Sequence, residues 1–157
     1  MGNRLTTPSV LHSADIPGSR LRFIVDNMPG CEIRPSKVHG NGLFAVKDFA
    51  SGAVLGLLDG QMVDWASFNA AEDTQPYGEH GDNLFVEWNA LSPEVLLIRP
   101  FRTKYSFINH SRNPNVCLLR DPLRVVATRA VAAGEELTLD YRREPLRKEY
   151  LEKAEYL

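Results

Sequence analysis

Cysteine is scarce in this chain: Cys31 and Cys117 are the only two, and they form no Cys-x-x-Cys unit. That scarcity removes the disulfide-stapled class, and the four histidines, His12, His39, His80 and His110, are too scattered to suggest a zinc site. Reduced, partly buried thiols are expected. No apolar run approaches the roughly eighteen residues of a membrane span. A sustained apolar core behind basic residues is missing from the first 22 residues, so no secretory leader is expected and the location expected is intracellular, cytoplasmic or nuclear. Excess positive charge is lacking too: 18 Lys and Arg against 20 Asp and Glu leave a formal net charge of −2, which speaks against direct nucleic-acid binding. There is no internal repeat.

What is present fits one folded unit, since 157 residues with 43% hydrophobic composition can bury a real core but hardly two. Short alternating or apolar runs predict strands over Glu32 to Arg34, Leu43 to Val46, Val54 to Leu58, Leu84 to Trp88, Val95 to Ile98, Val116 to Leu119, Leu123 to Thr128 and Glu136 to Leu139. Turn chemistry separates them, as at Gly40-Asn41-Gly42, Asp59-Gly60 and Ala133-Gly134. The fold class is therefore mainly β, without the βαβ units of a doubly wound nucleotide-binding fold. A short helix is expected over Asp64 to Glu72, then a polar loop over Asp73 to Asn83. Pro145 suits a helix start, with Leu146, Tyr150, Leu151, Ala154 and Leu157 on one face of a terminal amphipathic helix. The first thirty residues read as a loosely structured flank.

Three stretches carry candidate chemistry. In His39-Gly40-Asn41-Gly42, Asn41-Gly42 reads either as a hairpin turn or as backbone that a ligand can approach because β-carbons are missing. Ser106 to Val116, SFINHSRNPNV, follows an apolar segment with three asparagines; Asn109 can offer donor and acceptor to a zwitterion while Ser111 and Asn115 tie down their own loop. The third, GEELTLDY from Gly134 to Tyr141, ends a strand in an aspartate and a tyrosine whose hydroxyl either caps the core or points into a cleft.

Taken in order, Gly-x-Gly, Asn-His-Ser-x-x-Pro-Asn and Gly-Glu-Glu-Leu-Thr-x-Asp-Tyr resemble the SET-domain family of protein lysine methyltransferases, over roughly Cys31 to Tyr141. The resemblance implies a β-clip fold of small sheets around a pseudoknot, in which the C-terminal segment passes beneath the loop formed by the Asn-His-Ser stretch. The corresponding division is a flank over 1–30, a SET domain over 31–142, and a C-terminal helix over 143–157 that closes the domain. It implies S-adenosylmethionine as cofactor, with His39, Gly40, Asn41 and Gly42 meeting the methionine part, Asn109 its amino or carboxylate group, and the His110 backbone the adenine. The reaction implied is methyl transfer to a lysine of a protein or peptide substrate, with Tyr141 as the catalytic tyrosine and Asp140 supporting the strand end.

The departures from the family pattern are as informative. Leu58 stands where many members have a channel tyrosine, and Leu139 where a phenylalanine or tyrosine is common; Tyr105 offers a hydroxyl from another direction. Leu58, Tyr105 and Leu139 are thus the candidate substrate-channel residues. Arg112 stands where several members carry a zinc-binding cysteine, and no cysteine-rich segment follows, so no metal is expected. These departures leave open a second reading, a catalytically silent SET-like module that binds a peptide or protein partner.

Overall fold

The computed structural model describes residues 9–12, 23–74 and 87–153. In chain order the strands are β1 (Ser9–His12), β2 (Phe23–Asp26), β3 (Cys31–Pro35), β4 (Asn41–Ala45), β5 (Val54–Leu57), β6 (Gln61–Asp64), β7 (Glu87–Ala90), β8 (Val95–Arg99), β9 (Asn109–His110), β10 (Val116–Leu119), β11 (Arg124–Ala127) and β12 (Glu136–Leu139). Helix α1 is Trp65–Thr74 and α2 is Lys148–Lys153; 3-10 turns cover Lys104–Phe107 and Tyr141–Arg143. The chain is mainly β and is divided among small sheets, ordered β1-β2, β10-β11-β5, β3-β4-β12-β9 and β6-β8-β7.

The side-chain period of two explains β12: Leu137 and Leu139 are buried while Glu136 and Thr138 stay half-buried with polar work to do. The main core gathers Leu43 and Ala45 of β4, Leu55 of β5, Val116 and Leu118 of β10, Val125 and Ala127 of β11, and those two leucines. A smaller apolar cluster of Trp65, Phe68, Ala90 and Leu96 lies under α1 and β6-β8-β7, with Trp65 edge-on to both Phe68 and Trp88.

Several expectations change. The flank expected over 1–30 contains β1 and β2, paired antiparallel from Ser9↔Asp26 to His12↔Phe23. Ile24 and Met28 are fully buried in the main core, and full burial of such side chains contributes roughly 1.5–3 kcal/mol each, enough to bind the segment to the domain. Strand β6 was not expected; it exists because β8 supplies a partner edge from Gln61↔Ile98 to Asp64↔Val95. Helix α1 runs to Thr74, past the expected Glu72, with Asp64 accepting from Ser67 N at 2.8 Å at its start. Of the expected strand Leu84 to Trp88, the described part begins at Glu87 and continues to Ala90; the remainder, and the polar loop from residue 75, lie outside the described residues. The terminal helix begins at Lys148, not at Pro145, because the proline holds Glu144 extended at φ −75° and ψ 147°. Ala154 and Leu157 lie outside the described residues.

Candidate active site

The polar stretch after Phe107 is a crossing between strands. β12 pairs antiparallel with β4 (Glu136↔Phe44, Leu137↔Leu43) and parallel with β9 (Thr138↔Asn109, Leu139↔His110), so it lies between the two. Beyond the two-residue β9, Ser111 N donates to Leu139 O at 3.0 Å and Asn115 N to Thr138 O at 3.2 Å. Asn115, 2% exposed, is the pin: its Oδ1 accepts from Thr138 N at 2.8 Å and its Nδ2 donates to Glu136 O at 2.8 Å. An irregular crossing buries backbone polar groups that no ladder satisfies, and this side chain satisfies two of them. Asn115 therefore binds β12 rather than its own loop, whereas Ser111 Oγ does serve its loop by accepting from Asn113 N at 3.1 Å.

The Gly-x-Gly stretch does not form the Asn-Gly hairpin turn. Asn41 and Gly42 open β4, paired with Pro35 and Arg34, and the turn is Ser36 to Gly40, closed by Ser36 N donating to Gly40 O at 2.8 Å. Gly40 has φ +47° with open space where a β-carbon would stand, so it is required for its backbone conformation. Gly42 is required for room. A β-carbon there would run into the Glu136 carboxylate.

Glu136 is the site residue that reading the sequence missed. Its Oε1 accepts from Ser36 Oγ at 2.7 Å and from Asn109 Nδ2 at 2.8 Å, and the same Nδ2 donates to His39 O at 3.2 Å and Asn41 O at 3.3 Å. One amide group thus sits among three oxygen acceptors drawn from two segments. The Gly-Glu-Glu turn signal was visible in the sequence, but which glutamate faces inward depends on the register of β12.

Tyr141 lies just past β12 in a 3-10 turn capped by Asp140, whose side chain accepts from Arg142 N at 3.1 Å. Its backbone N donates to His110 Nδ1 at 3.2 Å, and its hydroxyl donates to the carbonyl of Ile108, one residue before Asn109. With Nδ1 accepting, the His110 proton belongs on Nε2, a buried atom with no hydrogen-bond partner among the described residues. Asp140, buried, is chelated by Arg142 through Nε at 2.8 Å and Nη2 at 2.7 Å, and this guanidinium is the main reason that its carboxyl is held down at about 2, burial opposing. An acid so committed does not serve as a proton acceptor near neutral pH, in keeping with its expected role at the strand end.

Leu58 and Leu139 are buried in the main core, with Tyr105 and Tyr141 packed against it. Desolvation drives the Tyr105 phenol well above its ordinary range, so it remains protonated. The structure therefore brings Asn109, His110 and Gly42 onto the strands that flank β12, with Tyr141 just past its end, and buries Leu58 and Leu139 in the core against which Tyr105 and Tyr141 pack. Gly40 and the His39 side chain are exposed at the rim; only the His39 carbonyl joins the cluster.

The SET-domain family model matches residues 40–142, from Gly40 of the turn to Arg142 beside the tyrosine. A search of the curated proteins finds no match to this chain. The matched segment spans most of the chain and contains the crossing, Asn109, Glu136 and Tyr141; this chain belongs to the SET-domain family.

Proposed function

We propose that this protein is an S-adenosylmethionine-dependent methyltransferase that acts on a lysine side chain of a protein substrate. The observation that carries the reading is that adjacent residues of the crossing hold both parts: Asn109 sits in a nest of oxygen acceptors, and the carbonyl of Ile108 tethers the Tyr141 hydroxyl. The acceptors suit the cofactor chemically. His39 O, Asn41 O and the Glu136 carboxylate already surround an N–H donor, so they match the ammonium of a methionine moiety, with Asn109 turning its amide to suit. The His110 backbone, on the edge of β9, is the candidate contact for adenine. When bound, the cofactor supplies an electrophilic methyl group on a cationic sulfur.

Everything else falls to residues of the chain. The Tyr141 hydroxyl donates its proton to Ile108 O, and in the proposed reaction its oxygen accepts an amine N–H and turns the nitrogen lone pair toward the methyl group. Leu58 and Leu139 keep water from this region, and a dry surrounding favours the neutral amine that the displacement needs. Alignment of two groups in attack geometry is worth about 7–11 kcal/mol in favourable cases. Calorimetry is expected to show binding of S-adenosylmethionine or S-adenosylhomocysteine, and failure to bind either removes the reading. A tritiated-methyl assay on a peptide array should then show transfer that falls by about a hundredfold or more in Tyr141→Phe.

A buried Leu58, where many relatives place a hydroxyl, favours the second reading, a silent module that binds a lysine-bearing partner. Cofactor and peptide binding without turnover would select it.

A further inference from the structure

The most deeply buried ion pair among the described residues joins Arg99, at the end of β8, to Glu87, its register partner at the start of β7, with Nε donating to Oε1 at 2.8 Å. Arg99 Nη1 also donates to Asp59 O at 2.8 Å, next to Leu58, and Nη2 donates to Asn89 Oδ1. The Glu87 carboxylate in turn holds Thr103 twice: Oε2 accepts from the backbone N at 2.8 Å, and Oε1 accepts from the hydroxyl at 2.6 Å. Thr103 is itself buried and caps the 3-10 turn Lys104–Phe107, its Oγ1 accepting from Tyr105 N at 3.2 Å and its O accepting from Ser106 N at 3.2 Å. That turn ends at Ile108, whose carbonyl receives the Tyr141 hydroxyl.

A buried ion pair is a poor source of net stability, because desolvation cancels most of the attraction and apolar residues of similar volume often serve as well. What it supplies is direction. The planar guanidinium meets three acceptors at fixed angles, and the carboxylate it locks takes two of its hydrogen bonds from one residue, Thr103. A four-residue 3-10 turn has few bonds of its own, so its setting depends on what holds its cap. We propose that Glu87, locked by Arg99, is a positioning residue for the proposed transfer, acting through Thr103 Oγ1 to set the turn that presents the Ile108 carbonyl to the Tyr141 hydroxyl. This inference rests on the proposed function and concerns its tyrosine. The acceptor nest has supports of its own in Ser36, which donates to Glu136, and in Asn115, which pins β12, so cofactor binding is spared.

The test compares Thr103→Val, which keeps the shape and loses the hydroxyl, with Thr103→Ser, which keeps the hydroxyl and loses the methyl group. Each is made in the full chain with tyrosine labelled with 13C at the ring carbon that bears the hydroxyl; Tyr141→Phe assigns the Tyr141 resonance. Thr103→Val should move that resonance and lower tritiated-methyl transfer to the peptide array by about tenfold or more. Its affinity for S-adenosylhomocysteine, by calorimetry, should stay within about twofold of wild type. Thr103→Ser should match wild type in all three, and Glu87→Gln, which weakens the hold on Arg99, should follow Thr103→Val. If Glu87→Gln does not fold, the two Thr103 variants decide. A packing role predicts the reverse order, with serine the worse; that order, an unmoved Tyr141 resonance in Thr103→Val, or cofactor affinity lost in step with transfer overturns the inference. Absence of cofactor binding by wild type defeats the proposed function instead, and the tyrosine resonance still decides whether Glu87 and Thr103 set the Tyr141 bond.

Discussion

Two glycines one residue apart have different physical reasons to be there. At Gly40 the backbone is left-handed with room for a side chain, so Gly40→Ala should cost about 1–2 kcal/mol in urea denaturation and nothing beyond that strain. At Gly42 the added methyl must displace Glu136 and with it the amide of Asn109, so Gly42→Ala should weaken cofactor binding by about tenfold or more in calorimetry. Asp140 makes a pH prediction. Its native pKa, at about 2, lies below the ordinary carboxylate value, so its contribution is fully present above the unfolded pKa and is lost as pH falls toward 2. Glu135, held at about 2 chiefly by Arg129, adds to the same acid-side loss. The stability difference between wild type and Asp140→Asn, from denaturation at a series of pH values, should be constant above about pH 5 and shrink below about pH 4.

Among the elements, β2 is the one whose importance was least visible. It grips the 3-10 turn that leads into β9: Val25 N donates to Arg102 O at 2.9 Å, and Lys104 Nζ lies 2.8 Å from Asp26 Oδ1 while donating to Cys31 O at 2.5 Å. Lys104 is buried, and removing the partner of a buried charge costs about 3–5 kcal/mol, so Asp26→Ala should lower the urea midpoint by that equivalent with the slope unchanged. The elements past Tyr141 act differently. Arg147 stacks over Trp65 with its guanidinium carbon 5.5 Å from the ring centroid, and Leu146 packs into the same aromatic cluster, joining the tail to α1.

The whole molecule offers a test that needs no substrate. A ligand that binds only the folded state at a hundred times its Kd stabilises by about 2.7 kcal/mol. For a chain of this size that corresponds to a rise of roughly 5–10 °C in Tm. S-adenosylhomocysteine should produce such a shift, and Asn109→Ala, which removes the amide at the centre of the acceptor nest, should abolish most of it. No helix among the described residues is long and apolar enough to cross a membrane.

Much of this was written locally. The alternation in Glu136–Leu139, the turn glycines and the apolar runs are properties of a few neighbouring residues, and they sufficed for a mainly β chain; motif order sufficed for the family. Partnership was not local. β12 lies between β4 and β9 because its two leucines are buried there and Asn115 satisfies the backbone that the crossing leaves over, and that arrangement alone aimed Glu136 at Asn109 and filled the space beside Gly42. Likewise Phe23–Asp26 is a short run whose worth lies in what it covers, and Glu144, held extended before Pro145, is met by Arg120 from a distant hairpin. Periodicity and turn chemistry depend on neighbours in the chain, while charge pairing and cavity filling depend on neighbours in space, and only folding decides who those are.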